Sequence, residues 1–198
     1  MMNSVDEIYD AVYAKRAEIS PEELIEITEP HLELLKKSSL DNYDLYFKST
    51  RLLADYAIGL ARIDNFSEAI KYLDIAINRF DNDPKLKSKN LWEEPMFESL
   101  VWFRGVTNFY LKDFRLSKID FQNLVEQFPD NDKYGRWLKA CVNRKYSILE
   151  WIFGGFTFLS IALSMYLNPE DGVMDTIALY GIVIGLVGGL TSLFMQKR

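Results

Sequence analysis

Through the first 150 positions apolar residues recur at three- and four-residue steps, and they almost never alternate with polar ones as a half-buried strand requires. Val5, Ile8, Tyr9, Val12 and Tyr13 form one such stripe. Leu24, Ile27, Leu32, Leu34 and Leu35 form a second, which Pro30 is expected to kink or restart because proline removes a backbone donor. Ser20 before Pro21, with Glu22 and Glu23 following, predicts a capped helix start. Asp41 is expected to cap a third helix running to about Ile63, and Asp64-Asn65 to turn the chain. Ser67–Phe80, Glu94–Leu111, Arg115–Phe128 and Asp132–Asn143 are the further helices the pattern predicts, with Pro84 and Pro129 as stops.

From Trp151 the pattern changes. Trp151–Leu167 and Thr176–Met195 run for 17 and 20 residues without a charge. A helix rises about 1.5 Å per residue, so the second run is long enough for a hydrocarbon core of roughly 30 Å. The first reaches that length with the Ser147–Glu150 turn added, and Asn168-Pro169-Glu170-Asp171-Gly172 reads as the connection. The expected fold is therefore all-α: an array of helix pairs over residues 1–145, then a transmembrane hairpin over 146–198. Its helices are expected at about 147–167 and 174–195, with a loop at 168–173.

Basic residues orient the hairpin. Lys133, Arg136, Lys139, Arg144 and Lys145 precede it and Lys197 and Arg198 follow it, whereas its loop is acidic. Cytoplasmic loops are the ones enriched in Lys and Arg, so both termini are expected in the cytoplasm of an integral membrane protein. Lys139, Arg144, Lys145, Lys197 and Arg198 are then candidate headgroup contacts. Residue usage is compatible with a bacterial source and hence an inner membrane. The start, MMNSVDEIYD, lacks the basic and apolar regions of a signal peptide. Gly181, Gly185, Gly188 and Gly189 form a small-residue stripe, which lets helices approach closely in lipid. Gly154, Gly155 or Ser160 of the first run is one expected neighbour, and a second protomer is the other.

The front of the chain repeats itself. Leu53, Ala57, Phe66, Ala69, Leu73 and Ala76 superpose on Val101, Gly105, Phe114, Ser117, Phe121 and Leu124 at an offset of 48 residues. The stretch Leu100–Asn131, LVWFRGVTNFYLKDFRLSKIDFQNLVEQFPDN, resembles a tetratricopeptide repeat (TPR): Gly105 stands where helix A touches helix B, Phe114 opens helix B and Pro129 ends it. Leu52–Phe80 is similar. The offset exceeds the 34 residues of that repeat, which points to an insertion near Asp83–Pro95. The resemblance implies a groove lined by the first helix of each pair, taking an extended peptide or a partner helix. At the matched positions the groove residues are Arg51, Asp55, Ile58, Arg62, Trp102, Phe103, Val106, Phe109 and Tyr110. The aromatics either line that groove or belong to the core.

Chemistry is sparse beside this. One cysteine, Cys141, excludes an internal disulfide and any cysteine-based zinc cluster, and one histidine, His31, leaves little for imidazole catalysis. Asp81-Asn82-Asp83-Pro84-Lys85 begins like a calcium loop but puts a lysine at a ligand position. No catalytic, metal or cofactor site is expected, and acids outnumber bases in the front, which argues against nucleic acid. The expected function is a membrane-anchored adaptor that binds protein partners on the cytoplasmic face. An oligomerising, membrane-perturbing effector and a small subunit of a larger membrane complex are the alternatives.

Overall fold

The computed structural model describes residues 4–14, 19–86, 90–166, 179–185 and 187–188. They are helical, with no strand among the described residues. The helices are α1 (Val5–Tyr13), α2 (Pro21–Thr28), α3 (Leu32–Lys37), α4 (Tyr43–Arg62), α5 (Phe66–Asp81), α6 (Pro95–Tyr110), α7 (Phe114–Gln127) and α8 (Asp132–Tyr166). The chain divides into two units, Met1–Gly135 and Arg136–Arg198.

Caps explain most boundaries in the first unit. The Ser20 hydroxyl accepts the Glu23 N–H at 3.2 Å and Pro21 takes the first helical position, where its missing donor costs nothing. Pro30 interrupts the second stripe as expected, and the chain passes through a single 3-10 turn, Glu29–His31, before α3. The cap of α4 is Asn42 rather than Asp41: Asn42 Oδ1 accepts the Leu45 N–H at 3.3 Å, while Asp41 accepts the Ser39 hydroxyl. The inserted segment before α6 holds a short 3-10 turn, Leu91–Glu93, whose Trp92 packs edge-on against Phe97 and Phe128.

The core gathers around α4, whose Leu52, Leu53, Ala54, Tyr56 and Ala57 are all buried. Val5, Ile8 and Val12 of α1 and Leu35 of α3 pack against Leu52 and Leu53. Burying such a side chain is worth about 1.5–3 kcal/mol, so this cluster fixes α1 on the domain.

α4–α5 and α6–α7 are two helical hairpins closed by the same turn, 48 residues apart. Ile63, Asp64 and Asn65 donate to the carbonyls of Gly59, Ala61 and Leu60, and Leu111, Lys112 and Asp113 donate to those of Thr107, Phe109 and Asn108. Asp64 and Lys112 both take left-handed backbone, with φ of 61° and 67°. Inside the second hairpin the Ser117 hydroxyl donates to the Gly105 carbonyl at 2.7 Å, and a Cβ on Gly105 would sit 3.0 Å from Phe121. A side chain there would force Phe121 or Asp120 to give way by a few tenths of an ångström. Arg104 adds paired bonds to buried Asp120 of α7 and reaches Asp74 of α5 at 3.3 Å.

In the second unit, Gly181, Gly185 and Gly188 lie against Ser160, Thr157 and Phe153 of α8. The hydroxyls of Thr157 and Ser160 bond back to the carbonyls of Phe153 and Phe156, each at 2.9 Å, which lowers their polarity at this contact. Gly154 and Gly155 do not join that face: they are exposed, and among the described residues nothing lies within 4 Å of a Cβ placed on either. Among the described residues no helix is long and apolar enough to cross a membrane. The expected loop at 168–173, most of the second run and Gly189 fall outside the described residues, so the spanning hairpin has no support from them.

Candidate functional site

One face of α4 repeats Phe47, Arg51, Asp55, Ile58 and Arg62, a spacing that stacks them turn upon turn. They line a cavity of about 530 Å³ in the first unit. Val12 and Tyr13 of α1, Pro21 and Leu24 of α2, and Met96, Ser99 and Phe103 of α6 complete its walls. Gly59 faces α2, where a Cβ would make ordinary contact with Leu24 at 3.4 Å and the Pro21 carbonyl at 3.6 Å. The volume lies within the range of pockets that enclose a small ligand or a few side chains.

Polar groups in the cavity are few and placed. The Tyr13 hydroxyl donates to Asp55 Oδ2, and the Tyr13 ring lies under the Arg51 guanidinium at 5.5 Å. Burial, followed by the Asp55 charge, raises the Tyr13 pKa far above that of an ordinary phenol, so this donor stays protonated. Arg51 Nε is buried without a hydrogen-bond partner among the described residues. Arg62 is exposed and stands over the Phe103 ring at 5.6 Å. Neither arginine forms an ion pair among the described residues. The cavity therefore offers two cations and one occupied carboxylate among apolar walls, with Glu94 as its other acid.

Five of the nine groove residues read from sequence meet here: Arg51, Asp55, Ile58, Arg62 and Phe103. The other four do not. Trp102 packs edge-on against Phe121 at 5.4 Å and carries the Lys133 ammonium over its ring at 3.6 Å. Phe109 meets Phe114 edge-on at 5.4 Å, Tyr110 stacks on Phe66 at 4.6 Å, and Val106 is half-buried outside the cavity. For two of them the reason is helical geometry: Met96, Ser99 and Phe103 share the α6 face toward α4, while Trp102 and Phe109, seven residues apart, share one turned toward α7. Val106 and Tyr110 are spaced to share the Phe103 face but lie one and two turns further along α6, past the cavity. Sequence reasoning missed the contribution of α1 and α2, whose only signal was Tyr13, a hydroxyl-bearing residue ending an apolar stripe.

The remaining candidates lie elsewhere. Lys139 and Arg144 are exposed on α8, whereas Lys197 and Arg198 are outside the described residues. Cys141 is buried, and no group of three His, Cys, Asp or Glu side chains among the described residues could hold a metal. No family model matches the sequence, and no curated protein or solved structure is significantly similar to it.

Proposed function

We propose that the chain is a membrane-anchored adaptor whose first unit, a TPR-like array of helix pairs, receives a protein partner at the α4–α6 cavity. The second unit holds it at the cytoplasmic face of a membrane, with a bacterial inner membrane as the expected host. The observation that carries this reading is the pair of arginines, Arg51 and Arg62, that have no carboxylate partner among the described residues and stand beside apolar walls. A partner segment with an acidic group next to apolar side chains meets both features at once: charge-assisted bonds orient it and apolar burial supplies affinity. Anchoring draws on Trp151, Phe158 and their neighbours, which face outward at 81% and 75% exposure. The effector alternative would use the glycine stripe between protomers, and Ser160, Thr157 and Phe153 of the same chain already occupy that face.

The test is capture of a partner from extracts of the native host by the full chain in mild detergent. Replacing Arg51 and Arg62 together by Gln should lower the captured amount about tenfold or more, since two charge-assisted contacts are removed. Trp102→Ala and Tyr110→Ala, outside the cavity, should leave it within about twofold provided the fold survives. A partner retained by the double arginine variant would overturn the reading.

A further inference from the structure

Arg51 and Asp55 lie one turn apart on α4, the spacing at which opposite charges on a helix ordinarily pair. Here no ion pair joins them, and no described residue accepts from the buried Arg51 Nε. Tyr13 of α1 touches both: its hydroxyl donates to Asp55 and its ring lies under the Arg51 guanidinium at 5.5 Å. We propose that Arg51 is the anion-receiving group of the cavity, that Tyr13 is the positioning residue that keeps Asp55 from neutralising it, and that the anion received is a carboxylate on an apolar stem. The assignment deepens the adaptor reading and rests on it.

The chemistry follows from the walls. A carboxylate entering the cavity that Arg51 lines meets a guanidinium with no ion-pair partner among the described residues, and a charge-assisted bond forms. Arginine presents its donors in a planar fork, so a carboxylate is a better match than a single-oxygen acceptor. Phe47, Leu24, Ile58 and Phe103 then receive the apolar stem, and Arg62 gives a second cation at the exposed side. Without the Tyr13 hydroxyl, Asp55 loses its donor, and the cation one turn away on its own helix is Arg51. The carboxylate can come from an acidic side chain of a protein or from a free organic acid.

Calorimetric titration of the full chain in detergent with 4-phenylbutyrate and with the neutral 4-phenylbutan-1-ol tests this. The wild-type chain should bind the acid about tenfold or more tightly than the alcohol, and Arg51→Gln should erase that preference. Tyr13→Phe should weaken the acid about fivefold, and Tyr13→Phe combined with Asp55→Asn should restore it to within about twofold of wild type, because no carboxylate remains to compete. That recovery separates positioning from a merely structural role. Unweakened binding by Tyr13→Phe, or a double variant as weak as the single one, overturns the positioning role. Equal binding of acid and alcohol by the wild type, or binding of neither, overturns the Arg51 assignment. Acid binding without any arginine-dependent partner capture leaves the assignment standing and sinks the adaptor reading instead. Displacement of phenylbutyrate by acetyl-Phe-Glu-Phe-amide supports the assignment with a protein side chain as the source; failure of the peptide to displace it supports a free organic acid.

Discussion

Gly105 shows how much a single hydrogen atom in place of a side chain can decide. Its α-carbon faces the Phe121 ring and the Asp120 Cβ closely enough that a Cβ would sit 3.0–3.2 Å from them. Both neighbours are buried and Asp120 is held by Arg104, so neither is at the free end of a flexible chain. Gly105→Val should therefore destabilise the first unit by roughly 1–3 kcal/mol, the usual cost of overpacking, read as a lower urea midpoint. Ser117 shares the contact by donating to the Gly105 carbonyl, so any separation of the helices also breaks that bond. This pair was legible in the sequence because both positions must be small wherever two helices touch. Asp64 was legible only as part of a turn, and the left-handed Lys112 was not legible at all, since lysine does not announce a positive φ as glycine or, more weakly, aspartate does.

Between elements, side chains bridge what short turns cannot. Arg79 of α5 donates to the carbonyls of Leu35 and Lys36 at 3.0 and 2.7 Å, which satisfies the C-terminal end of the short α3 and ties it to α5. Tyr43, at the start of α4, donates to buried Asp83 after α5 at 3.0 Å. Burial and then this bond to Asp83 raise the Tyr43 pKa to about 12. A phenol whose folded-state pKa is raised contributes stability that is complete below its unfolded value of about 10 and is lost as pH climbs through the folded one. The urea midpoint should accordingly fall between pH 10 and 12, and Tyr43→Phe should make that fall shallower. Helix pairs were readable from periodicity and the Ser20 cap from its residue type, whereas the cap of α4 was misplaced by one residue, and the cavity was only half readable. Its α4 face follows from spacing, whereas the walls given by α1 and α2 depend on tertiary packing of Val5, Ile8, Val12 and Leu35.

Across the whole molecule the two units present different surfaces. The first keeps its large apolar side chains inside, apart from scattered residues such as Leu40 and Ile119. The second exposes Trp151, Ile152, Phe156, Phe158 and Leu159 of α8 together with Leu179, Tyr180, Val183 and Ile184. Exposed large apolar side chains grouped in one unit fit the lipid contact proposed above. The chain should stay with the membrane pellet after alkaline carbonate washing and be released by detergent; release by carbonate would remove the anchoring reading.

The twin turns at Asp64 and Lys112 also bear on how the first unit assembles. Each closes a hairpin whose partners are near in sequence, so the entropy lost on closing either loop is small and nearly equal. Proteins built from such local pairings fold quickly, and here the α4–α5 and α6–α7 hairpins can each form before the other. The two hairpins therefore offer starting points of similar cost, whereas the cavity needs α1, α2, α4 and α6 together and so depends on pairings of longer range than either hairpin.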